Sequence, residues 1–184
     1  RYHRLSQQEL QVNSKSYAIP VKKPEDVNTP ADLVIVALKH HHLPEALPLL
    51  QPVVGRKTII LSVMNGLDSE KIIGSEYGMD MLVLAIAVGI DAVREEECFT
   101  YAQPGNIIFG VEPHNDDDHR ITRLSDTLTL AGIPHEISTD ILRTMWWKFM
   151  INVGINQASA VLRAPYGIFQ KSAEAKGLMM QLMQ

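Results

Sequence analysis

Polar side chains recur at helical spacing within an apolar stretch near the end of the chain. They are, in order, Lys148, Asn152, Asn156 and Ser159. With 3.6 residues per turn, a helix places all four in one stripe. An ammonium group can bind a carboxylate and donate a proton, and amides can hold the oxygens of a small polar molecule. The stripe therefore indicates a binding site for such a ligand.

Apolar residues surround this stripe, so the helix that carries it should be largely buried. These neighbours are Met145, Trp146, Trp147, Phe149, Met150, Ile151, Val153 and Ile155. A polar group buried without a partner costs about 1–3 kcal/mol, and a ligand would supply the missing partners. Two alternatives stay open: the stripe faces solvent, or the amides bind backbone groups of a neighbouring helix.

Two further candidates lie just past the ends of predicted strands. Lys39 comes after the apolar run Ala31–Leu38, and the pair Asn65-Gly66 follows the run Thr58–Val63. Open α/β sheets bind ligands at the carboxyl ends of their strands, which makes both positions candidate ligand contacts. The alternatives are a solvated lysine and an ordinary tight turn, since Asn-Gly is a common turn pair.

The hydrophobic pattern predicts the elements that position these residues. The short apolar runs Ala31–Leu38, Thr58–Val63 and Met81–Ala87 are typical of parallel strands buried on both faces. Between them, His42–Leu50 and Leu67–Ile73 have helical spacing. Alternating strands and helices predict right-handed crossovers, and therefore a doubly wound, Rossmann-like and mostly parallel α/β sheet.

Beyond this unit, turn signals predict a small antiparallel pair. Cys98–Tyr101 and Asn106–Gly110 flank a Gln-Pro-Gly turn and should pair with each other. Residues Asn115–Asp118 should form a solvated loop that caps a helix, and that helix should end near Ala131, before a glycine. A short strand near His135–Ile137 would then complete the sheet.

A long helix, Ile141–Leu162, is predicted after the cap residues Ser138–Asp140 and should begin a second, all-helical domain. We therefore expect a nucleotide-binding domain over residues 1–138 and the start of a helical domain over residues 139–184. The chain begins without methionine and ends in an apolar helical pattern, and no G-x-G-x-x-G phosphate-binding motif occurs in it. We expect it to be an interior fragment that lacks the first strand and its glycine-rich loop.

Composition narrows the partners and the setting. The formal charge of −4 provides no basic field for nucleic acid or anionic lipid. The longest apolar run, Met81–Ile90, is far shorter than the roughly 20 residues that span a bilayer. Cys98 is the only cysteine, which suits a reducing compartment. We therefore expect a cytoplasmic protein without nucleic-acid or membrane partners.

No metal site is predicted. The consecutive residues His40, His41 and His42 cannot converge on one ion in a helix or strand. The segment His114–His119 carries potential ligands, but acidic residues before a helix more commonly cap it and interact with its dipole. The acidic run before Cys98 disfavours its thiolate, so a nucleophilic role is not expected.

Together these motifs resemble the ketopantoate reductase family. The runs ADLVIVALK, SVMNGL and QPGNIIFG, followed by the helix W-x-K-x-x-x-N-x-x-x-N from Trp146 to Asn156, occur in the family's order and at similar spacing. The resemblance extends from about Ala31 to Gly167. It implies an NADPH-dependent oxidoreductase that reduces a 2-keto acid, by default 2-dehydropantoate to pantoate in pantothenate and coenzyme A synthesis.

The resemblance also implies roles for single residues. Lys148 corresponds to the catalytic lysine that gives a proton to the substrate's carbonyl oxygen. Asn152 and Asn156 correspond to the amides that hold the substrate. Asn65 corresponds to a residue near both nicotinamide and substrate, and the remaining cofactor contacts correspond to Lys39 and Ala92. The resemblance further allows a homodimer through the helical domain.

Two other readings stay open. Tyr166 stands where some family members have an amide that contacts the substrate, which suggests, as the second reading, a related reductase with another keto acid. A non-catalytic protein that retains the fold is the third reading. Arg1 is a candidate for the arginine that recognises the 2′-phosphate of NADP, but without the preceding strand it has no fixed alignment.

Overall fold

The computed structural model describes residues 9–113 and 118–184 of the chain. Within these ranges the strands form a four-stranded and a five-stranded sheet. The strands are β1 (Leu10–Val12), β2 (Lys15–Tyr17), β3 (Leu33–Val36), β4 (Ile59–Ser62), β5 (Leu82–Ile90), β6 (Val93–Glu95), β7 (Cys98–Thr100), β8 (Pro104–Gly110) and β9 (His135–Ile137).

Six α-helices connect or follow these strands in the described part of the chain. They are α1 (Leu43–Ala46), α2 (Ser69–Tyr77), α3 (His119–Leu130), α4 (Ile141–Leu162), α5 (Ile168–Lys171) and α6 (Ala173–Leu182). Single 3₁₀ turns occupy Pro24–Asp26, His40–His42, Leu47–Leu50 and Met79–Met81. None of these helices combines the length and the apolar character that a membrane span requires.

The larger sheet confirms the predicted α/β class. Its strand order is β3-β4-β5-β8-β9, and all neighbours are parallel except β5 and β8. The first three strands are joined through α1 and α2, as the alternating pattern predicts. β9 completes the sheet at its edge, at the residues expected from the sequence.

The predicted pairing of Cys98–Tyr101 with Asn106–Gly110 is wrong. β7 instead pairs antiparallel with β6 and parallel with β1, so it belongs to the smaller sheet. β8 pairs with β5 along almost its whole length, from Leu84↔Gly110 to Ile90↔Pro104. The physical reason is that β8 is apolar and completes the buried sheet next to β5, whereas β7 has polar neighbours and remains at the surface.

Helix positions agree with the sequence to different degrees. α4 begins and ends at the predicted residues, and the Asp140 side chain caps it by accepting a hydrogen bond from the Arg143 backbone N–H at 3.0 Å. α2 begins at Ser69, two residues after the predicted Leu67, with Asp68 at its N-cap position. The predicted helix His42–Leu50 is split into α1 and 3₁₀ turns, which contain Pro44 and Pro48.

Side chains of the central strands alternate between the two faces of the sheet. Ile59 and Leu61 of β4 pack on one face against a cluster that includes Leu124 and Leu128 of α3. Ile60 points to the other face and packs in a cluster with residues of α1 and α2. Two-sided burial explains the unbroken apolar run that predicted this strand.

α4 bridges the sheet and the last helices. Its first turns pack Ile141 and Met145 against Leu84 and Ile86 of β5, and its later turns place Ala158 against Phe169 and α6. The predicted burial of this helix is only partly correct. Many of its apolar side chains are exposed; Trp146 and Trp147, for example, are 60% and 54% exposed, and the Trp146 ring contacts Phe149 of the same helix edge-on. The division into domains 1–138 and 139–184 stays a prediction.

Two leucines of α3 provide a test of this packing. Leu128 is 1% exposed and Leu130 is 90% exposed, although they are two residues apart on one helix. We expect Leu128→Ala to lower the free energy of unfolding by about 2–5 kcal/mol because it opens a cavity in the sheet's core. The control Leu130→Ala should change it by less than about 0.5 kcal/mol. Urea denaturation measures both, and equal effects would contradict the orientation of α3.

Candidate active site

Lys39 and Asn65 lie at equivalent positions on the carboxyl edge of the sheet. β3 and β4 are parallel neighbours, and Val36 is level with Ser62 where both strands end. Lys39 and Asn65 each come three residues after those ends, and both are exposed. The structure therefore places both predicted residues at the edge where α/β sheets bind ligands.

The turn after β4 leaves open space beside Asn65. Gly66 has a φ of +107°, a conformation that side-chain-bearing residues rarely adopt. A Cβ atom at Gly66 would meet nothing within 4 Å, so it is the backbone conformation rather than crowding that requires glycine here. The Asn65-Gly66 pair is a tight turn, and that turn also presents a free surface at the sheet edge.

Lys148 lies next to this turn, on α4. Met145, one turn earlier on the helix, packs in the same cluster as Leu67 of the β4–α2 turn. The Lys148 side chain is half-buried, and this burial lowers the pKa of its ammonium below the ordinary lysine value. The nearby Glu70 carboxyl opposes that shift. Lys148 is thus a lysine that releases its proton more readily than a solvated one.

Glu70 is an acidic residue at this site that the sequence patterns do not single out. It is 3% exposed in the first turn of α2, and burial raises the pKa of its carboxyl group. Ser69 Oγ donates a hydrogen bond of 2.9 Å to Glu70 Oε2 and lies 2.8 Å from Ser62 Oγ. Acidic residues are common in first helical turns, so only its burial, invisible in sequence, distinguishes Glu70.

The other polar residues of the α4 stripe separate into free and bonded groups. Asn152 is half-buried, whereas Asn156 is exposed and its Oδ1 accepts a hydrogen bond of 2.6 Å from the Tyr166 hydroxyl. Ser159 Oγ donates to the Ala164 carbonyl oxygen at 2.5 Å, so it closes the end of the helix. The part of the stripe that can face a ligand therefore ends at Asn156, because the Ser159 hydroxyl is used by the end of the helix.

Ala92 is exposed on the loop between β5 and β6. The register places Leu61 of β4 beside Val83 of β5, and β5 continues to Ile90 after β4 has ended. Ala92 is thereby carried beyond the level of Lys39 and Asn65. Its contact with a cofactor stays a prediction.

Histidines and acidic residues form no metal cluster in the described ranges. His40–His42 form a 3₁₀ turn at the sheet edge. Asp118 caps α3 by accepting a hydrogen bond from the Arg120 backbone N–H at 2.9 Å, which confirms the capping prediction for that residue. Residues 114–117 of the predicted acidic loop lie outside the described residues, and so does Arg1.

Comparison with protein-family models decides the family. The model described as "Ketopantoate reductase PanE/ApbA" matches residues 1–114, and the model for the C-terminal part of the same proteins matches residues 140–184. The chain belongs to the ketopantoate reductase family. The resemblance inferred from its motifs is confirmed.

Curated relatives of this ketopantoate reductase family member are named 2-dehydropantoate 2-reductase. The protein from Aquifex aeolicus is 28% identical over 167 residues, which are 89% of this chain and 54% of the relative. The protein from Nostoc is 27% identical over 194 aligned residues, which cover 99% of this chain and 60% of the relative. The chain thus spans between half and two thirds of the length of these two relatives.

Solved structures confirm the fold. The 2-dehydropantoate 2-reductase of Geobacter metallireducens has a TM-score of 0.81 at 25% identity, covering 95% of this chain and 59% of that one. A ketopantoate reductase from Staphylococcus aureus, described as dimeric, has a TM-score of 0.77 at 20% identity, covering 99% of this chain and 71% of that one. The fold shared by these proteins is the one found in this chain.

Burial of Lys148 predicts a measurable titration. With isotope-labelled methyl groups on its lysines, the protein should show one signal, absent from a Lys148→Arg variant, that titrates below the ordinary lysine pKa. Desolvation disfavours the charged ammonium, and this is the cause of the shift. NMR spectra recorded over a pH series check the prediction, and a Lys148 signal that titrates at or above the ordinary value would contradict it.

Proposed function

We propose that the protein containing this chain reduces a 2-keto acid with NADPH, and that its substrate is 2-dehydropantoate, reduced to pantoate for pantothenate and coenzyme A synthesis. The observation that carries the proposal is the half-buried lysine with a lowered pKa, on the helix beside the carboxyl edge of a Rossmann-like sheet. Family membership and the names of the relatives support the same reaction. Composition favours the cytoplasm as its setting.

Residues at the sheet edge fit a nicotinamide dinucleotide. Lys39 supplies positive charge suited to phosphate, Asn65 supplies an amide suited to a carboxamide, and the space beside Gly66 is open to a flat ring. Ala92 would contribute a backbone contact where the loop after β5 approaches the ring. When bound, the cofactor supplies the hydride that reduces the keto carbon.

Lys148 acts as the proton donor in this proposal. Reduction of a ketone leaves negative charge on its oxygen, and an ammonium can neutralise that charge and then protonate the oxygen. A pKa lowered by burial brings the acid closer to the pH at which the enzyme works, which makes the transfer more efficient. Glu70 opposes this shift and so favours the protonated form that the step requires.

Asn152 and Asn156 orient the substrate in this proposal. They follow Lys148 by one and two turns on the same face of α4, so their amides can hold a carboxylate and a hydroxyl while the keto oxygen meets Lys148. Asn65 would contact the substrate from the opposite side, at the sheet edge. A homodimer through the helical domain is also proposed, because the family contains a protein described as dimeric.

A related reductase that takes another keto acid is the second candidate. Its supporting observation is the bond from the Tyr166 hydroxyl to Asn156 Oδ1, which uses one acceptor of a proposed substrate-binding amide. A phenol at this position adds bulk and a fixed donor, and both change the shape of substrate that fits. Comparison of kcat/KM for 2-dehydropantoate and for smaller or aromatic 2-keto acids separates the two candidates.

Replacement of Lys148 tests the chemistry. In the complete gene product, Lys148→Ala should lower kcat by about 10²–10⁴-fold, the usual contribution of a general acid, while NADPH still binds. Lys176→Ala is the matched control because Lys176 is exposed on α6, and it should leave kcat unchanged. Steady-state kinetics on folded variants decide: near wild-type turnover by Lys148→Ala would remove this lysine from the mechanism.

Replacement of Asn152 should act on binding more than on chemistry. If the amide holds the substrate equally in the ground and transition states, Asn152→Ala raises KM and leaves kcat nearly unchanged. The same kinetic assay measures the split. A fall in kcat without a change in KM would instead place Asn152 among the groups that act only in the transition state.

Nucleotide titration tests the cofactor. The complete protein should bind NADPH more tightly than NADH, and Lys39→Ala should weaken NADPH binding because an exposed cation at the sheet edge is lost. Lys15→Ala, which alters an exposed lysine of the small sheet, is the control. Calorimetry measures the dissociation constants, and the absence of binding by both nucleotides would favour a non-catalytic protein of this fold.

A further inference from the structure

Glu70 occupies an unusual place for an acidic residue. It lies in the first turn of α2, where a carboxylate usually faces solvent and interacts with the helix dipole from outside. Its neighbour Asp68 is exposed in this way, whereas Glu70 is turned inward and is 3% exposed. Burial of a carboxyl group carries a large desolvation cost, so the environment of this group must offset it.

The hydrogen bonds of Glu70 account for one of its two oxygens. Oε2 accepts the bond from Ser69 Oγ, which is itself linked to Ser62 Oγ at the end of β4. The Met64 backbone N–H donates to that second serine oxygen at 3.4 Å, so the chain of hydroxyls is anchored to the turn that leads to Asn65. Oε1 is buried and has no hydrogen-bond partner among the described residues.

Lys148 carries the ammonium group on which this carboxyl group acts. The Glu70 carboxyl raises the pKa of the Lys148 ammonium against the effect of burial, so the two groups interact through space. The fold brings them together because Leu67, in the turn before α2, packs with Met145 of α4. An orphaned, buried carboxyl oxygen and a half-buried ammonium therefore lie on facing elements.

Few charged groups act on the Glu70 carboxyl group and the Lys148 ammonium. From the α2 side, Asp68 is the other acidic residue that acts on Glu70, and it raises the pKa of the Glu70 carboxyl. From the sheet, the cluster at this contact contains apolar side chains, among them Leu84, Ile86 and Ile108. Within the described residues, no other charged group is identified as acting on the Lys148 ammonium.

We propose that the Glu70 carboxylate is a positioning residue that orients the Lys148 ammonium and holds it in its protonated form between proton transfers. The inference rests on the proposed role of Lys148 as proton donor. In this arrangement the two serines fix the carboxylate through Oε2, and Oε1 is left for the ammonium. Ser62 and Ser69 thereby connect the end of β4 to the proton donor on α4.

The pH dependence of the hydride-transfer rate tests the inference. In the complete gene product, single-turnover oxidation of NADPH by 2-dehydropantoate should slow at high pH, as Lys148 loses its proton. Glu70→Gln keeps the shape but removes the charge that favours the ammonium. This alkaline limb, the fall of the rate at high pH, should move to lower pH by about one unit in the variant. Above the limb, one pH unit is equivalent to about tenfold less protonated Lys148.

Stability provides the readout that separates a structural role. The pKa of Glu70 is raised by folding, so its contribution to stability is full below its unfolded pKa and is lost as the pH rises through its folded pKa. Glutamine does not ionise, so Glu70→Gln removes the fall in stability that accompanies ionisation of the buried carboxyl group. The variant should therefore be at least as stable as the wild type at neutral pH. A slower enzyme that is not less stable is the result expected of a positioning residue.

Two controls complete the experiment. Asp68→Asn removes an exposed charge from the same turn and should leave the alkaline limb in place. Glu70→Asp keeps the charge but draws it back by one methylene, so the limb should move in the same direction by less. If Glu70→Gln does not fold, the Glu70→Asp profile decides, and an alkaline limb identical to that of the wild type overturns the inference.

Failure of this inference is distinguishable from failure of the proposed function. If Lys148→Ala abolishes hydride transfer while the Glu70 variants keep the wild-type pH profile, Lys148 remains the proton donor and Glu70 is structural. If Lys148→Ala turns over normally, Lys148 is not the proton donor and the inference about Glu70 fails with it. If the wild-type protein does not oxidise NADPH with 2-dehydropantoate, the proposed function itself is wrong.

Discussion

The contact between the start of α4 and β5 is the interaction on which the site depends. Ile141 and Met145 pack against Leu84 and Ile86, which anchors the first turns of the helix on the sheet. The close approach requires Gly110 in β8, because a Cβ atom there would lie 2.8 Å from the Ser138 carbonyl oxygen and 3.0 Å from Ile141 Cβ. Lys148, one turn further, is thereby carried to the carboxyl edge of the strands.

This anchoring explains how one helix serves two environments. Its first turns face the sheet, and its last turns pack small residues such as Ala158 against α5 and α6. Between these contacts, Lys148 and Asn152 are half-buried, which gives a polar side chain both an altered pKa and access to a ligand. A lysine fully in solvent would lack the first property, and one fully in the core would lack the second.

Much of the fold could be predicted because local patterns determine it. The strands β3, β4 and β5 are unbroken apolar runs, and α4 has both its cap and its spacing in the sequence. The pairing of β7 with β1 could not be predicted, because β1 is far away in the chain and only tertiary packing selects it. The pairing of β7 with β6 is local, but the two glutamates between these strands give no turn signal. The exposed apolar side chains of α4 were also unpredictable, since spacing shows which residues share a face but not what covers that face.

The candidate site shows the same division. Lys148, Asn152 and Asn65 have types and positions that indicate chemistry, and Lys39 follows a strand end. The Tyr166 hydroxyl bond to Asn156 and the burial of Glu70 depend on how separate segments meet, so no motif reveals them. Ser159 matched the stripe in spacing, but its hydroxyl is used by the helix end. Spacing therefore identifies candidate groups, and only the contacts of these groups show what each one does.

A crystal structure of the complete gene product with NADP⁺ and pantoate would show whether α4 and the sheet edge form one active site. We expect the nicotinamide ring beside Asn65, with Lys148 Nζ within about 3.2 Å of the hydroxyl oxygen formed from the keto group. We also expect the pantoate carboxylate against the amides of α4. A hydroxy acid bound away from Lys148, or a nicotinamide ring away from the β4–α2 turn, would contradict the central claim that this edge of the sheet and this helix form one active site.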